Sequence, residues 1–247
     1  MSAFLSFVSR IYKRFYWLGN IELRILGAFC LLIISIFSFL EIADDVGEGD
    51  THGIDTKILM MMRDGNDPQN AWGPHWFEEM VRDISGLGGI AILTLVTFGA
   101  AFYLLMKKQG GQAIYLLATI GMGTLLTNLL KFNFARPRPD LVPHGSYVMT
   151  DSFPSGHSMM GALVFLTIGM LMARAHKTRS MKLYFITASV LVTVMVGISR
   201  VYLGVHWPSD VLAGWAGGGA CALLFWLIDW AWQEKILARK RHDPAHP

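Results

Sequence analysis

Long uninterrupted blocks of apolar residues alternate with shorter polar segments along most of the chain. A block of roughly 18 or more residues with few charges is typical of a transmembrane helix. The pattern therefore predicts an all-α, polytopic membrane protein with six transmembrane helices, folded as a single domain over residues 1–247. The predicted spans are residues 23–42, 87–106, 113–133, 157–175, 183–201 and 211–232.

The composition agrees with this pattern. Of the 247 residues, 53% are hydrophobic and 16% are charged, whereas about 25% are charged in soluble domains. The net charge of +3 is too small to indicate nucleic-acid binding. Cys30 and Cys221 both lie in apolar blocks, so they predict neither a disulfide nor a metal site. The first block begins too late and is too long for a cleaved signal peptide, so we expect it to remain as the first span.

Lysine and arginine are concentrated at alternate ends of the predicted spans. Because cytoplasmic loops collect positive charge, we predict that both termini are cytoplasmic. The alternate connections are poor in lysine and arginine, so the long acidic connection over residues 43–86 is predicted to lie outside. The basic residues that mark the cytoplasmic ends are Arg10, Lys13, Arg14, Arg24, Lys107, Lys108, Arg174, Lys177, Arg179, Lys182, Lys235, Arg239, Lys240 and Arg241.

The outer segment over residues 43–86 also contains apolar and aromatic residues, among them Ile58, Trp72 and Trp76. Such residues favour amphipathic stretches that lie in the membrane interface, with aromatic rings at headgroup depth. A plain connecting loop with aromatic residues at its ends fits the same pattern. The sequence does not decide between these two interpretations.

Basic residues also occur at the outer ends of the spans, against the general charge bias, and an anionic ligand on that side is the simplest explanation. Pro137 and Pro139 disfavour helix, so we expect the third span to end near Arg136. Lys131 would then project from its last turns and Arg138 from the extended exit. A cluster reaching towards lipid headgroups is the alternative. The residues are Lys131, Arg136, Arg138 and Arg200.

A second segment, residues 153–158, precedes the fourth span. Ser155 is a candidate N-cap, and Gly156 permits close approach to the first free backbone amides of the helix. A helix N-terminus binds anions, and His157 beside it suits proton transfer near neutral pH. A capped helix with an interfacial histidine is the simpler alternative.

A third segment, residues 199–210, links the last two spans. Arg200 ends one helix and Pro208 marks the start of the next. His206 and Asp210 are four residues apart, so the carboxylate can bind one ring nitrogen and leave the other as a nucleophile or base. The pair can also be purely structural. All three segments together indicate a phosphoryl-transfer site, in which cations stabilise the charged oxygens.

The three segments match a known pattern at every motif position. Residues 131–139 fit K-x6-R-P, residues 154–157 are P-S-G-H, and residues 199–210 fit S-R-x5-H-x3-D. In these motifs, their order and the six-span layout, the chain resembles the type 2 phosphatidic acid phosphatase (PAP2) superfamily, in its bacterial integral membrane branch. The resemblance covers about residues 54–230, with a motif-bearing core over about 87–230.

The resemblance implies a role for each motif residue. His206 is expected to attack phosphorus, Asp210 to hold His206, and His157 to protonate the departing oxygen. Arg136 lies outside the motif and is assigned an additional headgroup contact rather than a catalytic role. The family implies no metal and no other cofactor. The expected phosphate-binding residues are Lys131, Arg138, Arg200, Ser155 and Gly156.

The predicted function is a lipid phosphatase in the bacterial cytoplasmic membrane, with its active site on the outer face. The resemblance to bacterial members of the family suggests four candidate substrates: undecaprenyl diphosphate, phosphatidylglycerophosphate, phosphatidic acid and a lipid A phosphate. Among these we favour undecaprenyl diphosphate and related lipid phosphates. A lipid phosphotransferase, which passes the phosphate to another lipid, has the same motifs. A lipid or anion transporter is a more remote alternative, because its charges would lie near the midplane. The partners are the substrate lipid and the bilayer, and no oligomeric state is indicated.

Overall fold

The computed structural model describes the backbone of residues 2–146 and 151–242. Side chains are described for residues 23–132, 134–146 and 151–236. The side chains of six of the basic residues used above to predict orientation lie outside these ranges: Arg10, Lys13, Arg14, Arg239, Lys240 and Arg241.

Regular secondary structure in the described part of the chain is helical, apart from one isolated bridge between Arg63 and Ala71. The all-α prediction is confirmed for these residues. The helices are α1 (Ser2–Glu48), α2 (His52–Met60), α3 (His75–Gly86), α4 (Ile90–Met106), α5 (Gly110–Asn133), α6 (Gly156–Ala175), α7 (Arg179–Tyr202) and α8 (Pro208–His242).

Five of the described helices are long and apolar enough to cross a membrane by themselves. Helices α3 and α4 are bent by 48° at a short break and form a sixth candidate when taken as one span. The integral membrane prediction is confirmed, and the count of six depends on that bent pair. The five spans are Leu23–Glu48, Gly110–Phe132, Gly156–Ala175, Arg179–Tyr202 and Pro208–Ile236.

Helix α6 forms the centre of the bundle and packs against α7 and α8. Half of its span is buried, compared with 6% of the first span. The close packing depends on Gly214 of α8, because a Cβ there would lie 2.8 Å from Ser158 Cβ and 2.9 Å from the carbonyl oxygen of Ser155. Helices α1 and α4 instead expose large apolar side chains, such as Leu95 and Phe98. Lipid tails can solvate these surfaces in a membrane.

We call the end of the bundle where α5 and α7 end and α6 and α8 begin the site end. Helix α2 lies across it, and its fully buried Leu59 packs with Trp207, Val211 and Val201. The segment over residues 43–86 therefore contains two packed helices, so its interpretation as a plain connecting loop is wrong.

Several predicted helix ends differ from the structure, and two of these differences lie at the site end. Helix α4 begins at Ile90, because residues 87–89 form the break after α3, whereas the prediction began at residue 87. Helix α5 ends at Asn133 and not near Arg136. The cause of the earlier end is tertiary packing, since the Phe134 ring lies 4.8 Å from the Phe153 ring and the Arg136 carbonyl accepts a hydrogen bond from the Ser152 amide.

Candidate active site

The predicted site residues converge at the site end, although they come from three distant parts of the sequence. Lys131 lies in the last turn of α5, Arg200 in the last turn of α7, and Asp210 in the first turn of α8. A cavity of about 570 Å³ lies at this end and is lined by Lys131 and Arg200, but not by Asp210. Among the predicted residues, those that line this cavity are Lys131, Arg138, Gly156, His157, Arg200 and His206.

His206 and Asp210 form the centre of the site. His206 Nδ1 lies 3.4 Å from Asp210 Oδ2, and both side chains are almost completely buried. The same carboxylate oxygen accepts hydrogen bonds from the Trp207 amide, at 2.9 Å, and from the Ser152 hydroxyl. Asp210 is thus fixed by several donors and in turn fixes the orientation of the His206 ring.

The contacts of His206 determine its tautomer. Arg138 Nη1 lies 3.2 Å from His206 Nε2. A guanidinium has donors only, so Nε2 accepts this hydrogen bond and carries a lone pair. Nδ1 then carries the proton and donates towards Asp210. The neutral ring therefore presents Nε2, the atom expected to act as nucleophile, towards the cavity.

The charge state of His206 follows from its surroundings. The pKa of His206 is lowered to about 4, and burial is the main cause. The hydrogen bond and charge of Asp210 raise this pKa, while the positive charges of Arg138 and Arg200 act in the same direction as burial. Burial also lowers the pKa of Arg138. The His206 ring is consequently neutral at physiological pH, as a nucleophile must be.

The three motif cations contact neutral oxygen atoms. Lys131 Nζ donates to the carbonyl of Asp151 at 3.0 Å, and Arg138 Nη1 donates to the carbonyl of Val205 at 2.6 Å. Arg200 is 2% exposed and donates through Nη1 to the hydroxyl of Ser85 at 2.6 Å. These acceptors orient the three groups, all of which line the cavity.

The N-terminus of α6 has the predicted cap. Ser155 Oγ accepts from the amide of Ser158 at 3.4 Å and from its hydroxyl at 2.9 Å, and Ser155 is fully buried. Gly156 and His157 follow at the cavity wall. The break between α3 and α4 packs directly on His157, because a Cβ at Gly88 would lie 3.2 Å from His157 Cβ and 2.5 Å from Val196 Cγ1.

The cavity continues from this charged end between α4, α5 and α6. Its walls there are mainly apolar, so the cavity has a cationic end and an apolar body. The apolar side chains include Leu93, Phe98, Leu117, Ile120, Met160 and Val164.

Arg136 does not make the headgroup contact assigned to it from the sequence. Its Nη1 atom lies 2.6 Å from Asp210 Oδ1 and its Nη2 atom lies 2.7 Å from Asp55 Oδ2. Two buried carboxylates attract this guanidinium inward. Sequence reasoning missed Asp55 and the serines that accompany these contacts, Ser152 and Ser209. A usable signal existed, since Asp55 is a single acidic residue beside an apolar run.

Among the described residues, no group of three or more histidine, cysteine, aspartate or glutamate side chains is placed to hold a metal ion. Cys30 and Cys221 are free thiols, and Cys221 is buried.

The fold and the cavity together define a class: an integral membrane protein whose cavity at one end of the bundle is lined by basic side chains and two histidines. The family model described as the PAP2 superfamily matches residues 112–234. Phosphatidylglycerophosphatase B of Bacillus subtilis strain 168 is 38% identical over 167 residues, which cover 65% of this chain and 77% of that protein. A Lipid A 1-phosphatase of Rhizobium etli is 31% identical over 61% of this chain and 71% of its own length.

A solved structure agrees with this match. The crystal structure of a transmembrane PAP2-type phosphatidylglycerolphosphate phosphatase from Bacillus subtilis superposes with a TM-score of 0.64 at 27% identity, covering 83% of this chain and 96% of the other. The chain belongs to the PAP2 superfamily. The predicted family and the predicted activity of a phosphoric ester hydrolase are both confirmed.

Proposed function

We propose that the protein hydrolyses the phosphate of a membrane lipid, through a phosphohistidine formed on His206. The observation that carries this proposal is the cavity of about 570 Å³, which joins a cationic end to an apolar body. Its charged end suits a phosphate, and its apolar body between α4, α5 and α6 suits the chain of the lipid that carries it. A water-soluble phosphate ester lacks the apolar chain that would fill this part of the cavity.

The reaction proceeds in two balanced steps. His206 Nε2 attacks phosphorus, the bond from phosphorus to the leaving oxygen breaks, and His157 gives its proton to that oxygen. Water then attacks the phosphohistidine, the phosphorus–nitrogen bond breaks, and His157 takes the proton of the water. Asp210 stabilises the positive charge on His206 in the first step.

The phosphate is held by the cations and by the start of α6. Lys131, Arg138 and Arg200 stabilise its charged oxygens. Gly156 offers a backbone amide at the helix N-terminus, and Ser155 supports it by capping that helix.

The substrate class is a lipid phosphate or diphosphate. The two relatives compared above are named for phosphatidylglycerophosphate and for lipid A, and the sequence also favours undecaprenyl diphosphate. All three share a phosphate at the membrane interface on an apolar carrier. The cavity favours this shared chemistry and not one of the three lipids.

We place the active site on the non-cytoplasmic face of a bacterial cytoplasmic membrane, with both termini in the cytoplasm. The support is charge: basic residues occur at the opposite end of the bundle, where α4, α6 and α7 meet their connecting loops. The exposed Trp72 and Trp76 at the site end suit headgroup depth. The basic residues are Lys107, Lys108, Arg174, Lys177, Arg179 and Lys182.

The test is phosphate release by the detergent-purified protein from undecaprenyl diphosphate, phosphatidylglycerophosphate, phosphatidic acid and a lipid A phosphate. We expect release from at least one lipid and near-complete loss in His206→Ala, because the covalent route needs this nucleophile. His75→Ala is the matched control, since the His75 side chain is 84% exposed and lies outside the cavity.

Two outcomes oppose the proposal. If folded wild-type protein releases phosphate from none of the four lipids, hydrolysis is wrong as the main activity. If phosphate instead appears on an added acceptor lipid, the protein is a phosphotransferase that uses the same phosphohistidine.

A further inference from the structure

Asp55 of α2 is buried at the site end, although it belongs to none of the three motifs. It is 2% exposed. Its Oδ1 accepts from the Ser209 amide at 2.9 Å, and its Oδ2 accepts from Ser209 Oγ at 2.6 Å and from Arg136 Nη2 at 2.7 Å. A carboxylate from a separate helix is therefore attached to the first turn of α8, next to Asp210.

Arg136 connects Asp55 to the catalytic pair. Its Nη2 atom donates to Asp55 Oδ2 at 2.7 Å and to the hydroxyl of Thr51 at 3.0 Å. The other nitrogen, Nη1, donates to Asp210 Oδ1 at 2.6 Å and to Ser209 Oγ at 2.8 Å. The two carboxylates thus share one guanidinium.

This sharing divides the two oxygens of Asp210 between different partners. Oδ1 binds Arg136, whereas Oδ2 is reserved for His206, Ser152 and the Trp207 amide. An isolated arginine and carboxylate favour a bidentate pair that uses both oxygens. Asp55 prevents that arrangement by holding Nη2, and so keeps Oδ2 available to the His206 ring.

The position of the guanidinium is fixed further by Trp207. Arg136 lies over the Trp207 ring, with its Cζ atom 5.7 Å from the ring centre. The indole Nε1 donates to the carbonyl of Pro137 at 3.1 Å. Arg136 is consequently held on its face by Trp207 and at its edge by Asp55, so rotation towards both Asp210 oxygens requires the loss of the Asp55 contact.

We propose that Asp55, acting through Arg136, is a positioning residue that orients Asp210 and His206 for phosphoryl transfer. The proposal rests on the proposed function, since it assigns Asp55 to the support of the same nucleophile. It also gives helix α2 a role in the reaction, because Asp55 of α2 binds Nη2 of Arg136 and leaves Nη1 for Asp210.

The test compares Asp55→Asn, Arg136→Gln and their double variant with wild-type enzyme. We expect Asp55→Asn to lower kcat by about 10- to 100-fold, the range found for outer partners of metal-binding side chains. KM and the inhibition constant of inorganic phosphate should stay within about twofold, because the phosphate-binding cations are unchanged. The double variant should be no slower than Arg136→Gln alone, because Asp55 acts through Arg136.

Asp50→Asn is the matched control, because Asp50 is an exposed aspartate just before α2. The inference would be overturned if folded Asp55→Asn kept the wild-type kcat. It would also be overturned if the kcat losses of Asp55→Asn and Arg136→Gln multiplied in the double variant. If Asp55→Asn does not fold, Arg136→Lys decides, since lysine keeps the charge but cannot serve both carboxylates through a planar fork. Wild-type kcat in that variant, or loss of folding in both, would assign the network to stability alone. An inactive wild-type enzyme would instead oppose the proposed function.

Discussion

The two sides of the His206 ring differ in how charge is arranged. On the Nδ1 side, which we call the support side, carboxylates of Asp210 and Asp55 face the guanidinium of Arg136 at 2.6 and 2.7 Å. On the Nε2 side, which we call the cavity side, Lys131 and Arg200 donate to a carbonyl and a hydroxyl. On the support side opposite charges pair at short range within the protein, whereas on the cavity side these two cations line the cavity.

Arg136 and Arg138 show that this difference does not follow from residue type. They are two positions apart and share the same short extended segment, yet Arg136 contacts Asp210 and Arg138 contacts His206 Nε2. The Arg136 guanidinium forms an ion pair with buried carboxylates, whereas Arg138, beside His206 and the cavity, is the group proposed to bind the phosphate. Substitutions on the two sides should therefore fail in different ways.

Among substitutions of the groups around the His206 ring, the largest effect is expected from Asp210→Asn on the support side. The amide loses the charge that stabilises the His206 cation, and it can present a donor to Nδ1 and reverse the tautomer. We expect kcat to fall by about 10⁴-fold, as in hydrolases whose histidine loses its carboxylate partner. Single-turnover phosphate release measures the loss, with thermal unfolding recorded in parallel.

Helix α8 supplies a matched control for that variant. Asp229 also pairs with an arginine, Arg174, at 2.7 Å, but at the opposite end of the helix. Asp229→Asn should leave phosphate release within about twofold of wild type, because a partly exposed pair contributes little even to stability. Equal losses in Asp210→Asn and Asp229→Asn would show that the activity responds to helix stability and not to His206.

The next largest effect is expected from Arg138→Ala on the cavity side. Loss of one group that stabilises the transferring phosphate should lower kcat/KM by about 10²- to 10³-fold. Inhibition by inorganic phosphate should weaken as well, unlike in Asp55→Asn. The measurement is kcat/KM together with the phosphate inhibition constant, and an unchanged inhibition constant would remove Arg138 from the phosphate-binding group.

Much of the cavity side could be predicted from the sequence, since its residues lie in short motifs at helix ends. Apolar blocks predicted the helices, proline and serine predicted the turns, and the structure brings Lys131, Arg138, His157, Arg200 and His206 to one cavity. These features are local in sequence. Each short motif therefore places its own side chains together at one helix end.

The support side could not be predicted in the same way, because its contacts are long-range. Asp55 and Ser209 are 154 positions apart, and nothing in the spacing along the chain indicates their contact. The same reason explains the error for Arg136, whose position near a helix end suggested a headgroup contact. The early end of α5 is likewise a tertiary effect, since Phe134 leaves the helix to pack on Phe153.

A smaller effect is a shift in the pH dependence of activity. Asp210 on the support side raises the pKa of His206, whereas Arg138 on the cavity side lowers it. The neutral His206 ring is the reactive form, so activity falls as the ring gains a proton. Burial and the cavity-side arginines hold its pKa at about 4, while Asp210 opposes them. The acid limb of kcat/KM assigned to this ring should thus lie near pH 4 and not near about 6.5, the usual value.

Arg138→Met should move that acid limb upward, because it removes a positive charge that disfavours the protonated ring. The profile is measured from a pH of about 4 to neutrality for wild type and Arg138→Met with one lipid, whose own phosphate ionisation is titrated separately. A downward shift in Arg138→Met would contradict the placement of this charge beside Nε2.

The smallest effect is expected from metal removal, which tests whether the cations of the cavity side suffice for the reaction. In the proposed reaction three basic side chains bind the phosphate, so the chain itself would supply the positive charge that stabilises its oxygens. Release in excess EDTA should stay within about twofold of the untreated rate, and the EDTA-treated Arg138→Ala enzyme should keep its own lower rate. If wild-type activity were lost in EDTA and restored by added Mg²⁺, the three cavity-side cations would be insufficient for the reaction. A metal ion would then be required as well.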